Sequence, residues 1–208
     1  MIQVKFANFD VQFTNILNMQ KVYIHNKEFI NTDSSKNTIQ QGEYENCTFV
    51  NCIFTETNLS DFSFEECTFK ECDLSNAKIT NTAFKEVVFI NCKLMGLQFD
   101  ECNPFLLAFQ FTNCQLNLSA FYGLKIKNTL FKNCILNEVD FTDTILSGAT
   151  FKNCDLSGAM FGNTNLEKAD FRTSVNFSIN PETNPISKAR FSTENITGLL
   201  NKYNIIIE

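Results

Sequence analysis

The chain has no tryptophan, a single histidine (His25), three prolines and only seven glycines in 208 residues. Each scarcity removes a class of function. One histidine cannot serve a credible Ser/His/Asp set, and nothing around His25 in the sequence completes a zinc ligand set. With so little glycine there is neither a P-loop nor a dinucleotide-binding glycine pattern. No stretch approaches the roughly 20 apolar residues of a membrane span, and Met1 to Ile30 lacks a charged-then-apolar leader pattern. Positive charge is also short: 23 Asp and Glu outnumber 17 Lys and Arg, and the net −6 disfavours direct nucleic-acid binding.

Phenylalanine, by contrast, occurs 23 times, and its placement is periodic. In FKNCDLSGAMFGNTNLEKADF the residues Phe151, Leu156, Phe161, Leu166 and Phe171 recur every fifth position. On an α-helix five residues advance by roughly 140°, so no single face would collect them. In a strand an odd period sends successive side chains to opposite faces. A fixed period sustained along a chain is the mark of a solenoid whose coils stack on one another.

One register runs through Tyr44, Phe49, Phe54, Leu59, Phe64, Phe69, Leu74, Ile79, Phe84, Phe89, Leu94 and Phe99; after an interruption near Pro104 a second runs from Phe111 to Phe171. Two residues before each centre sits a smaller side chain, such as Cys47, Thr57, Ala77, Ser119 or Ala149. Phe62, Leu97, Phe109 and Leu124 are oversized there and call for local distortion. Two residues after the centre Asn recurs (Asn46, Asn51, Asn76, Asn91, Asn133, Asn153), a residue that tolerates left-handed backbone and suits a turn in every repeat. All nine cysteines (Cys47, Cys52, Cys67, Cys72, Cys92, Cys102, Cys114, Cys134 and Cys154) occupy the small position, counting Pro104 as a centre. They read as small buried hydrophobes, and an odd number of interior thiols suits a reducing, cytoplasmic setting.

The unit "small, polar, Leu or Phe, x, x", as in CDLSG, AMFGN, TNLEK and ADFRT, resembles the pentapeptide-repeat proteins. The resemblance implies an all-β fold, a right-handed quadrilateral β-helix with four pentapeptides per coil, and a short C-terminal helix and strand cap that joins two subunits end to end. The alternation of Phe with Leu or Ile agrees with four repeats per coil, because positions 20 apart then carry like residues. The expected organisation is a single domain, 1–208: an N-terminal cap and imperfect coils over 1–43, a first coil stack over 44–101, a break over 102–110, a second stack over 111–173 and a C-terminal cap over 174–208. In the cap, Ser192 or Thr193 would start a short helix reaching about Lys202. Tyr203 to Ile207 reads as a strand, and Leu199, Leu200, Tyr203, Ile205, Ile206 and Ile207 are the candidate homodimer residues.

Function then has to reside on the surface. Carboxylates just before a centre, such as Asp140, Asp155 and Asp170, have no cleft for acid/base work and read as turn residues, so neither an enzyme nor a cofactor is expected. Charge is uneven: Glu43 to Glu101 holds eleven carboxylates against four lysines, −7, whereas 102–173 is neutral. The resemblance implies, for the gyrase-binding members, imitation of B-form DNA on a type II topoisomerase. The candidate contact residues are Glu45, Glu56, Asp61, Glu65, Glu66, Glu71, Glu86, Asp100 and Glu101. A second reading is an interaction scaffold for an unrelated protein, with specificity at the break and at Tyr122, Lys125 and Lys127.

Overall fold

The structure, a computed structural model, describes residues 22–36 and 38–206. Its regular elements are short parallel strands: β1 (Val22–His25), β2 (Glu28–Ile30), β3 (Gly42–Glu45), β4 (Thr48–Val50), β5 (Ser63–Glu65), β6 (Thr68–Lys70), β7 (Ala83–Lys85), β8 (Val87–Ile90), β9 (Phe109–Thr112), β10 (Leu130–Lys132) and β11 (Thr150–Lys152). They form two ladders, β1-β3-β5-β7 and β2-β4-β6-β8-β9-β10-β11. Partners lie 20 residues apart, as in Phe49↔Phe69 and Phe131↔Phe151, so one turn consumes four repeats. The result is a parallel β-solenoid with four walls. We call wall 1 the β1 ladder and wall 2 the β2 ladder; walls 3 and 4 are joined by single bridges such as Gln115↔Ile135 and Ala120↔Asp140.

The five-residue unit explains each feature. Its centre points inward, and on wall 2 every centre from the first coil to the last is Phe: Phe29, Phe49, Phe69, Phe89, Phe111, Phe131, Phe151, Phe171 and Phe191 stack with centroids 4.6–5.4 Å apart. On wall 4, Phe99, Phe121, Phe141 and Phe161 do the same. The second residue after the centre turns the chain through a left-handed conformation, with Asn46, Asn51, Asn76, Asn91, Asn133 and Asn153 all at φ near +50°. Carboxylates just before a centre serve the same turns. Asp140 Oδ1 accepts from the Thr142 backbone N–H at 2.8 Å and Asp155 Oδ1 from that of Ser157 at 3.1 Å.

The small position has a second role beyond fitting. Its side chain donates to the carbonyl of a centre one coil back: Cys72 to Phe49 at 3.3 Å, Cys92 to Phe69 at 3.3 Å, Thr82 to Leu59 at 2.7 Å, Thr164 to Phe141 at 2.7 Å. Cys52, Cys72, Cys92, Cys114, Cys134 and Cys154 line up at successive coils along the edge between walls 2 and 3, all buried and free. Burial pushes the Cys67 thiol up to about 12 and raises that of Cys102. The oversized Phe62, Leu97, Phe109 and Leu124 are buried too. Phe62 stacks against Phe64, and Phe109 fits between Phe99 and Phe111.

Among the described residues, regular pairing is already in place at Val22. The expected C-terminal helix is present only as two short 3-10 turns, Ile196–Leu199 and Asn201–Tyr203. β-branched Ile196 and Thr197 followed by Gly198 favour no longer helix. Close packing fixes the first turn, since a Cβ on Gly198 would lie 2.5 Å from the Phe177 ring. The strand expected from Tyr203 is not formed over Asn204–Ile206, where Asn204 sits in the left-handed region (φ 50°). Residues 1–21 of the expected N-terminal cap and Ile207 lie outside the described residues.

Candidate functional site: an acidic wall ending at a register break

The walls distribute the predicted contact residues unequally. Outward positions on wall 1 alternate with the buried centres Tyr44, Phe64 and Phe84, and its ladder places His25, Glu45, Glu65 and Lys85 side by side. Glu43 stands on the same wall. Glu66 and Glu86 occupy the left-handed turns at the edge shared with wall 2. Asp61 and Glu101 lie at the edge shared with wall 4. There Asn81 Nδ2 donates to Asp61 Oδ1 at 2.7 Å, and Thr80 Oγ1 to Glu101 at 2.6 Å. Six of the nine predicted residues therefore gather on one wall and its edges. Asp100 lies on wall 4, its acidity weakened by burial and by neighbouring Glu101 and Asp140. Glu71 and Glu56 turn the two remaining edges and point away from the cluster.

Some of this charge is held internally. Lys85 Nζ bonds Glu65 at 2.9 Å, and the Tyr23 hydroxyl donates to Glu45. Counting Glu43, Glu45, Asp61, Glu65, Glu66, Glu86 and Glu101 against Lys85, the wall still carries −6. It does so over about three coil steps, roughly 14 Å at the usual 4.8 Å strand spacing. Duplex DNA, at one charge per about 1.7 Å, carries roughly eight over that length. The acidity ends abruptly: beyond the break the corresponding positions are Lys125, Lys127, Lys168 and Lys188, opposed by Asp143 and Glu167, so the wall turns weakly positive.

The break itself was visible in the sequence as CNPFLLAFQ, but its exposed residues were not singled out there. Ala83 bridges Asn103 with the usual offset of 20, whereas Val87 pairs with Phe109 at 22. Two extra residues are thus inserted between Asn103 and Phe109. They loop out at wall 1, leaving Phe105 68 % and Leu106 63 % exposed. The available signal was three apolar residues in succession where the repeat has one inward position in five.

At the C-terminal end, Phe177, Ile179, Phe191 and Leu199 cover the last coil. Leu200 is half-buried, while Tyr203 and Ile205 are about half exposed and Ile206 is almost wholly so. Tyr203 Oη donates to Glu182 at 2.9 Å, and Lys202 pairs with the same carboxylate. Among the described residues no group of three or more His, Cys, Asp or Glu could hold a metal, and no helix is long and apolar enough to cross a membrane.

A four-walled parallel β-solenoid built from five-residue units defines a pentapeptide-repeat architecture. The chain belongs to the pentapeptide-repeat family: the model of the pentapeptide repeat region matches residues 38–104 and 62–141, and that of pentapeptide repeats (8 copies) matches 134–172. Among solved structures, a trypsin-treated variant of QnrB1, a plasmid-mediated fluoroquinolone resistance protein, is similar with a TM-score of 0.54 and 20 % identity, over 90 % of this chain and 92 % of that one. HetL, a pentapeptide-repeat protein involved in heterocyst differentiation regulation in the cyanobacterium Nostoc sp. strain PCC 7120, gives 0.53 and 14 % over 84 % and 88 %. At these identities the likeness is one of fold. No curated protein sequence matches the chain.

Proposed function

We propose that this chain is a non-enzymatic, cytoplasmic protein-binding solenoid whose acidic wall 1 imitates DNA and engages the DNA-binding surface of a type II topoisomerase, modulating the enzyme or protecting it from quinolones. The observation that carries the reading is the gathering of Glu43, Glu45, Asp61, Glu65, Glu66, Glu86 and Glu101 on one wall and its edges, near the charge density of a duplex. The solenoid presents these carboxylates on a rigid frame, so little ordering entropy is lost on docking. Exposed Tyr203, Ile205 and Ile206 support end-to-end pairing of two copies through the C-terminal cap. The neutral half and the apolar break favour the second reading, a scaffold for an unrelated protein partner.

A supercoiling assay with purified bacterial gyrase, titrated with this protein in the presence and absence of a quinolone, tests the reading. Inhibition or drug protection is expected, and it is lost on combining Glu45→Lys, Glu65→Lys and Glu86→Lys. No effect at micromolar protein, or an effect indifferent to those reversals, sinks topoisomerase binding through wall 1.

A further inference from the structure

The two-residue insertion at the break serves no purpose in the core. Phe89 and Phe111 stack at 5.3 Å and 9°, within the 4.6–5.4 Å range of the other neighbours in the wall 2 column. What the insertion produces is a surface feature. It leaves Phe105 and Leu106 side by side in solvent, with Leu106 (φ 55°) in the left-handed turn of its repeat, a conformation that a bulky residue adopts at a cost Gly or Asn would avoid. Next to the pair opens a cavity of about 340 Å³ whose lining includes Val88, Leu107, Ala108 and Ile126, with Glu86 and Lys127 on its rim. No bridge joins Asn103–Ala108 to the next coil on wall 1 among the described residues, so the wall is open there.

We propose that Phe105 and Leu106 are the apolar anchor of the protein-binding surface, inserting into an apolar pocket on a basic protein partner. The inference deepens the protein-binding reading and rests on it. A wall of carboxylates gives association rate and orientation more than lasting affinity, and it weakens with salt. Long-lived complexes depend on a few apolar or aromatic side chains that fill well-packed, fully desolvated pockets on the partner. Here the exposed Phe-Leu pair follows directly on the acidic coils, so a partner that matches the carboxylates with Lys or Arg meets the pair at the margin of that contact. The charge on wall 1 specifies a basic partner, and the adjoining apolar pair specifies its pocket.

The test uses the full chain and a random peptide library displayed on phage. Selection on the immobilised protein is expected to enrich peptides with a large apolar residue beside two or more Lys or Arg. Their affinity should fall about tenfold or more in a Phe105→Ser, Leu106→Gly variant. It should be unchanged in Leu118→Gly, which alters another exposed leucine in a left-handed turn. The melting temperature of the double variant should hold or rise. A clear fall would mean that the pair is structural and would overturn the proposal. So would selected peptides indifferent to Phe105, an absence of enrichment, or self-association lost in the variant, which would make the occupant a second copy. Peptide binding that needs Phe105 alongside a silent supercoiling assay would remove the topoisomerase and leave the anchor. Binding lost only on reversal of Glu45, Glu65 and Glu86 would do the opposite.

Discussion

Phe89 and Phe111 are stacked neighbours although 22 residues separate them, where every other step of their column spans 20. The offset is absorbed on wall 1, which loses its ladder beyond β7, while wall 2 continues unbroken through β8, β9, β10 and β11. The molecule is therefore held by wall 2 and differentiated on wall 1.

Removing one ring from the middle of that column should be costly. Phe131 is fully buried and stacks on Phe111 and Phe151 at 5.2 and 5.0 Å. Phe131→Ala is expected to lose about 3–5 kcal/mol in urea unfolding. Phe105→Ala, at a solvent-exposed ring, should lose almost nothing.

The fold and the burial of the cysteines were legible because the repeat assigns each residue type one job. A Phe every fifth residue and a small residue two before it leave little choice of structure. The wall on which a charge falls was less legible. It depends on counting four repeats per coil through the break, and Glu71 looks like Glu66 until the turns are traced. The C-terminal cap was misread because Ile205 and Ile206 are apolar enough for a strand, whereas the turn at Asn204 gives them no ladder to join.

Alkaline pH should destabilise the protein through its buried thiols. The Cys67 thiol is raised from 9.0 to about 12 by burial. Above about pH 9 the unfolded chain gives up this proton and the folded chain keeps it, so unfolding becomes more favourable as pH rises. The contribution is intact below pH 9 and is lost progressively toward pH 12. Urea midpoints measured between pH 8 and 11 should fall more steeply for the wild type than for Cys67→Ala; equal slopes would refute the assignment.

Along the edge between walls 2 and 3, asparagines form a ladder interrupted by one glutamate. Asn51 donates to Asn31 at 2.6 Å, Asn113 to Asn91 at 2.9 Å and Asn133 to Asn113 at 2.9 Å, with Glu71 standing between Asn51 and Asn91 in the same left-handed turn. Glu71→Asn should complete the ladder and raise stability by about 1–3 kcal/mol, the net worth of two hydrogen bonds. Thermal unfolding would show a gain, and gyrase inhibition should be unaltered because Glu71 faces away from wall 1.

On the proposed reading, position also separates the contact charges from the incidental ones. Combining Glu45→Lys, Glu65→Lys and Glu86→Lys should weaken gyrase binding about tenfold or more at low salt and flatten its salt dependence. Glu56→Lys with Glu71→Lys changes the net charge by four units but lies on the other two edges, and should do far less. Equal losses in the two variants would mean that overall charge matters and wall 1 does not.

The unbroken phenylalanine column has one more consequence. A strut that keeps its stacking while the adjoining flank gains two residues frees that flank to vary in length. Wall 1 near residue 105 is thus a natural splice point: longer inserts, a peptide tag or a new recognition segment could be grafted there while the rings of wall 2 continue to hold the coils in step.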